Sequence, residues 1–353
     1  MNASPLWDTS TPCPPAEDIP DLDVVTHVST VRAQPGGWHY LHETALAWHQ
    51  GRLHQVWATH PTYEANEIEE SLRSSTSLDG LRWDEPGLVA SPATHGGESW
   101  NHPVIWSHAG QLWGFFTRWQ DHQPTTEIMR HDGSWRPTGA RIPGLIPFNQ
   151  PKRLANGSLI MSGEYGWHVG AVAISPQGDP LHWEVVQLPI ATAIPLRFAE
   201  VTVMDRGDHL VAIFRPGTPG PAPTCHSCDG GRTWSPLVHS NLPMTDSKPL
   251  CVRLSTGQHV LISNDPVAGR TLLRIAVTTP GGTSFRRMWK LRHQAFPRRR
   301  LFGGYGSGPM VGHDTEWSYP AAVEHAGSLY VSYTHGKEDG VLSIIPLHAL
   351  AAG

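Results

Sequence analysis

Cysteine, charge and long apolar runs are all scarce in this chain, and each scarcity closes off a class of protein. The four cysteines, Cys13, Cys225, Cys228 and Cys251, are too few in 353 residues for a disulfide framework. Cys225-x-x-Cys228 is half of a zinc site with no second pair, so no metal is expected. Charged residues make up 16% of the chain, and 26 Lys and Arg against 31 Asp and Glu leave a net charge of −5. That balance offers no basic footprint for nucleic acid. No stretch approaches the roughly 20 apolar residues of a membrane-spanning helix, so no membrane partner is expected. The opening MNASPLWDTSTPCPPAED lacks the basic and apolar regions of a signal peptide. The chain as given therefore reads as cytoplasmic, or as secreted if a leader was removed. Neither HExxH nor GxxxxGK[ST] occurs, and no cofactor is expected.

What the chain does have is turns, tryptophan and histidine: 35 Gly, 32 Pro, 15 Trp and 22 His. Gly and Pro at that density argue against a helical bundle and for many short strands with tight turns. The strands repeat. An apolar segment, a Gly turn and a second apolar segment recur in ETALAWHQGRLHQVWAT, HPVIWSHAGQLWGFFTR, PKRLANGSLIMSGEY, VTVMDRGDHLVAIFRPG, CVRLSTGQHVLISND and AAVEHAGSLYVSYTHG. Their turn glycines are Gly51, Gly110, Gly157, Gly207, Gly257 and Gly327, with a spacing near 50. Six hairpins at that period predict an all-β, six-bladed β-propeller. The expected blades are 41–90, 98–140, 148–190, 197–240, 247–292 and 316–349. LDVVTHVSTV (22–31) and LSIIPL (342–347) stand outside the hairpins, and an N-terminal strand in the last blade would close the ring and remove its edges. Residues 1–20, rich in Pro and acid, are expected to form a flexible arm on a single domain spanning 21–353. The segment 290–315, with a basic PRRR at 297–300, is expected to be a loop inserted between the last two blades.

A second series keeps step with the glycines. Ser227, Asp229, Gly231, Thr233 and Trp234 form a full S-x-D-x-G-x-T-W box, and Ser77, Asp79, Gly80 and Trp83 form a partial one. Weaker echoes end at Trp135, Trp183 and Trp289. Asp and Ser suit turn amides, Gly suits positive φ, and Trp suits packing onto a neighbouring blade, so the boxes are read as structural staples.

The full box and the six-fold repeat resemble the sialidase (neuraminidase) superfamily, whose fold is a six-bladed propeller carrying Asp boxes. The resemblance covers about 38 to 347. It implies an exo-acting glycoside hydrolase on a terminal, acidic sugar of a glycan, with a carbohydrate as partner and no cofactor. That family's pattern places a glutamate at the start of blade four and an arginine some fifteen residues on; Glu200 and Arg215 stand there. The pattern's further clamp arginine maps to Arg270 in SNDPVAGRTLL, and its nucleophilic tyrosine to Tyr319 in WSYP. In this implied site Glu200 takes the proton of Tyr319, while Arg215 and Arg270 hold a carboxylate through paired hydrogen bonds. The chain departs from the pattern in two places. His42-Glu43-Thr44 stands where the family's first clamp arginine would be. The loop HPTYEANEIEES offers Glu64, Glu67 and Glu69 rather than an aspartate as acid/base, and Glu67 is the choice made here.

His42, Glu43, His102 and His168 complete the candidate substrate-binding set, each at the edge of an inner strand. The histidines also open a second possibility: His with Tyr could abstract the C5 proton of a uronic acid, as a polysaccharide lyase does. A non-catalytic carbohydrate-binding propeller is the third.

Overall fold

The computed structural model describes residues 5–34, 36–294 and 317–351. The expected insertion at 290–315, with its PRRR run, lies mostly outside the described residues. The fold is a six-bladed β-propeller built from antiparallel sheets. In chain order the blades span 40–90, 99–143, 152–187, 201–244, 250–293 and 317–346. Ranges expected from glycine spacing fall within a few residues of these.

The sixth blade takes its outer strand from the other end of the chain. Thr26–Arg32 pairs antiparallel with Asp339–Pro346, with Thr26 opposite Ile344 and Arg32 opposite Asp339. That is the closure expected of the N-terminal segment, and it covers an edge that would otherwise expose unpaired backbone groups.

All six hairpin glycines have positive φ, from 76° at Gly51 to 91° at Gly207. The boxes work as their composition demands. Ser227 Oγ accepts from the Gly231 amide at 2.8 Å. Asp229 Oδ1 accepts from the Arg232 and Thr233 amides at 3.0 and 2.9 Å, and the Trp234 indole donates to Gly231 O at 2.8 Å. Gly231 cannot be replaced cheaply, because φ is +92° and an added Cβ would meet Ile160 at 2.9 Å. Trp234 packs on a cluster containing Ile160 and Ile174 of the third blade. Trp83 packs likewise on Tyr330 and Leu342 of the sixth, and Trp135 on a cluster shared by the first two. Trp183 closes a weaker copy by donating to Pro180 O at 2.7 Å. Trp289 departs from the series, since it lies inside the strand Phe285–His293 rather than at a turn.

The chain forms two compact units. One holds the third, fourth and fifth blades with residues 1–24 and 346–353; the other holds the sixth, first and second blades. In the first unit the expected flexible arm is instead packed. Leu6, Trp7 and Ile19 are buried in a cluster with Met204, Leu242, Cys251 and Phe285. The Trp7 amide donates to Asn241 Oδ1 at 2.9 Å, and Phe285 donates its amide to Leu6 O. An apolar Leu-Trp pair within an acidic, Pro-rich stretch is the reason: burying two such side chains stabilises by several kcal/mol, to the order of about 2 per residue, more than enough to hold a short segment.

Each unit also has a polar staple. In the first, the half-buried Lys152 donates through its ammonium to the carbonyls of Val203 and Cys251, tying the third blade to the fourth and fifth. In the second, Gln150 Nε2 donates to Leu46 O and Ile105 O at 2.7 and 2.9 Å, tying the first blade to the second.

Candidate functional site

In the unit of blades six, one and two, three first strands break their ladder at matching places. Register shifts fall between His42 and Ala45, between Asn101 and Val104, and between Ser318 and Ala321. Each bulge carries a non-glycine residue in the left-handed region: Glu43 at φ 58°, His102 at 41° and Tyr319 at 57°. Left-handed backbone costs an L-residue roughly 1–2 kcal/mol, and bulges re-aim side chains, so three such residues at equivalent points mark a shaped site.

The bulges touch one another. The His42 ring lies 4.2 Å, centroid to centroid, from that of Tyr319, and His42 Nδ1 is 2.9 Å from Thr334 Oγ1 of the sixth blade. On the other side, Glu43 Oε2 accepts from the His102 amide at 2.6 Å, and Oε1 lies 3.1 Å from His102 Nε2. His42, Glu43, His102 and Tyr319 are all buried.

The loop acids divide. Glu64 Oε2 accepts from Lys337 Nζ at 2.7 Å, and that ammonium stands 6.0 Å from the centre of the Tyr319 ring. Glu67 instead faces the exposed His122 at 2.5 Å, raising the histidine's pKa through their hydrogen bond. Glu69 is exposed, 3.8 Å from His60 Nε2. Glu70 is fully buried and accepts from the amides of Ala65 and Asn66 and from Asn101 Nδ2. Burial pushes its carboxyl up to about 7, against the lowering effect of these donors. Tyr40 is buried beside them; burial first, then Glu64, Glu70 and Glu43, hold its phenol well above the usual value.

In the other unit, Glu200 and Arg215 are buried and paired at 2.9 Å between Oε2 and Nη1, and Arg215 lies over the Phe198 ring at 4.7 Å. Arg215 and Arg270 converge on one turn. Arg215 Nη2 is 3.9 Å from Asp246 Oδ2, and Arg270 Nη2 donates to Asp246 O at 3.0 Å. His168 is held by its neighbours: its amide donates to Glu164, its Nδ1 meets Arg197 O, and φ is 75°. Burial raises the Glu164 carboxyl to about 7, with the Glu200 charge adding to the effect.

Sequence reasoning missed Lys337, Tyr40, Glu70, Glu164 and Asp246. A signal existed for the first. The chain has four lysines, Lys152, Lys248, Lys290 and Lys337, and a lysine spared from a surface otherwise supplied by arginine is a candidate for special use. Lys248 and Lys337 are indeed buried, and Lys152 is half-buried.

Six sheets, Asp boxes, and strained bulges bearing Glu, His and Tyr define a propeller of the sialidase-like kind. The chain belongs to the BNR repeat-like domain family, whose model matches residues 51–331. Among solved structures it is similar to the Hadza microbial sialidase Hz136, at 14% identity and a TM-score of 0.69, with 92% of this chain and 69% of that one covered. A protein of unknown function from Dyadobacter fermentans aligns at 17% identity and a TM-score of 0.66 over 92% of this chain and 99% of its own. Trypanosoma rangeli sialidase in complex with sialic acid aligns at 11% and 0.60, covering 95% and 59%. No curated protein matches the sequence. At such identities the likeness is one of fold.

Proposed function

We propose that the chain is a sialidase-like glycoside hydrolase that removes a terminal acidic sugar from a glycan, with Tyr319 as nucleophile. The observation that carries this reading is the placement of Tyr319 in a left-handed bulge opening the last blade, its ring against His42 and near the Lys337 ammonium. A phenol is a weak nucleophile at its ordinary pKa near 10, so it needs a neighbouring group that takes its proton. The resemblance to sialidases gives Arg215 and Arg270, which both reach the Asp246 turn, the role of a carboxylate clamp. Glu200 keeps Arg215 in position. The similarity to sialidases in fold supports the same class of reaction.

The test uses methylumbelliferyl glycosides of N-acetylneuraminic, glucuronic and galacturonic acids. Wild type is expected to release the fluorophore from one of them, and Tyr319→Phe to lose at least about 1,000-fold in kcat with KM nearly unchanged. Unchanged turnover in Tyr319→Phe would remove Tyr319 from the chemistry.

A second reading is favoured by the same His42–Tyr319 contact: β-elimination on a uronic-acid glycan. It is told apart by the ultraviolet absorbance of an unsaturated uronide, which hydrolysis does not produce.

A further inference from the structure

The arm that opens the chain lies along the outer strand of the fifth blade, Phe285–His293, and bonds to it at two points. At the first, Phe285 donates its amide to Leu6 O at 2.7 Å and its carbonyl accepts from the Asp8 amide at 2.8 Å. At the second, the Lys290 amide donates to Pro20 O at 2.8 Å and its carbonyl accepts from the Leu22 amide at 3.1 Å. Trp7 pairs with Phe285 and Asp21 with Lys290, so the arm runs from 7 to 21 while the strand advances only from 285 to 290. The surplus chain bows outward over a hollow of about 390 Å³. That volume falls within the roughly 300–1,000 Å³ of small-ligand sites and far exceeds the voids that packing leaves. The walls are preset. Trp7 is buried, its indole donates to Thr11 O at 3.1 Å, and the Ser10 amide donates to Asp8 Oδ1 at 2.9 Å. Pro12, Pro14 and Pro20 restrict the arm further, which lowers the ordering cost of binding.

The chemistry of the lining selects a ligand. The chain carries a net charge of −5, yet the residues lining this hollow include two guanidiniums, Arg286 and Arg287, and no Asp or Glu. Both arginines are exposed, so a ligand meets them from solvent. Arg287 Nη1 donates to Ala351 O at 3.4 Å, and Asp8 Oδ2 stands 4.0 Å from Arg286 Nε, at the edge of ion-pair range. A guanidinium matches a carboxylate through paired hydrogen bonds. Beside them the half-buried Trp289 and the arm's Trp7 present apolar indole surface, suited to the C–H face of a pyranose, and Thr11 adds a hydroxyl. An anionic group next to a ring with one apolar face is the make-up of an acidic monosaccharide. We infer that this hollow is a second binding site, taking a uronic or sialic acid unit of a glycan. It lies in the unit of the third to fifth blades, whereas Tyr319 belongs to the other. The inference does not depend on the hydrolase reading, since binding here needs no turnover.

Met288, buried against the hollow it lines, reports on the site directly. In protein carrying carbon-13 at its methionine methyl groups, Met288→Leu identifies the resonance that belongs to the hollow. Wild type is titrated with methyl β-glucuronide, with the methyl α-glycoside of N-acetylneuraminic acid, and with methyl β-glucoside as the neutral counterpart of the first. At least one acidic probe is expected to move the Met288 resonance saturably with a Kd of about 1 mM or tighter, and the neutral probe to bind at least about tenfold more weakly. Arg287→Gln and Trp289→Ala are each expected to weaken the acidic probe about tenfold. A Met288 resonance unmoved by both acids, equal affinity for glucuronide and glucoside, or an affinity unchanged in both Arg286→Gln and Arg287→Gln overturns the site. The comparison of probes uses wild type alone, so it decides the matter even where a variant folds poorly. Turnover of the methylumbelliferyl glycosides is read separately: a protein whose Met288 responds while no glycoside is cleaved loses the hydrolase reading and keeps this site.

Discussion

Lys152 shows how a single side chain can hold three blades. The side chain is half-buried and its ammonium is bonded to the carbonyls of Val203 and Cys251, while burial lowers its pKa. A lone buried charge would be ruinous; carbonyl dipoles from two neighbouring strands make it tolerable. Lys152→Met keeps the length of the side chain and removes both donors, leaving two carbonyls unpaired. The expected loss is roughly 2–4 kcal/mol in urea unfolding. Lys152→Gln is expected to lose less, because an amide can still reach one carbonyl. Lys337 was legible only by its rarity as a lysine. What could not be read was its partner, since Glu64 stands 273 positions away in sequence. Nor could the left-handed conformations of Glu43, His102 and Tyr319 be read from residue type, because such backbone is uncommon for any residue but glycine; the ladder on either side imposes it.

At the level of elements, the period was legible and the exceptions are instructive. Glycine spacing located six hairpins because each turn needs positive φ, which is a local demand. The box at Ser227–Trp234 was legible for the same reason, every bond in it being made within eight residues. Asp229 is the keystone. Its carboxylate, held down to about 2 chiefly by the Thr233 hydroxyl and amide, serves four donors. Asp229→Ala is expected to cost about 1–2 kcal/mol, as loss of a helix cap does, with the glycosidase activity proposed above unaffected at temperatures well below melting. Thermal melting beside an activity assay checks both halves of that statement. Trp289 echoed the period without a box around it, and it proved to be a strand residue lining a hollow of about 390 Å³ with Trp7, Pro12 and Arg287. Spacing without the Asp and Gly of the turn was too weak a signal. The arm expected at 1–20 misled in the opposite way: its composition favours disorder, and among its described residues Leu6, Trp7 and Ile19 decide otherwise.

Over the whole molecule, the histidine excess gives stability a dependence on pH. Burial depresses His54 and His259 from about 6.5 to about 4; His131, His49 and Arg52 add to the effect at the first, Lys152 and Arg253 at the second, where Asp205 opposes it. His49, His60 and His131 are lowered as well, by burial. A group whose pKa falls on folding contributes stability above its unfolded value, and loses that contribution as pH drops through the folded value. For His54 and His259 the window is 6.5 to 4, worth about 3 kcal/mol each. Glu70 and Glu164, raised from 4.5 to about 7, run the other way: their contribution is present below 4.5 and lost as pH rises through 7. The two sets oppose each other between pH 4.5 and 6.5 and blunt the acid loss. Replacing both carboxyls, Glu70→Gln with Glu164→Gln, removes the counterweight. The melting temperature of that variant is expected to fall more steeply than that of wild type as pH is lowered from 6.5 to 4.5. Parallel profiles would show the two glutamates to be silent.

The pairing of Thr26–Arg32 with Asp339–Pro346 also sets an order of events during synthesis. At a ribosomal pace of about 5–20 residues per second, the earlier strand waits some 15–60 s for a partner made more than three hundred residues later. The polar side chains of that waiting strand, His27, Ser29, Thr30 and Arg32, keep it from seeking another edge in the meantime.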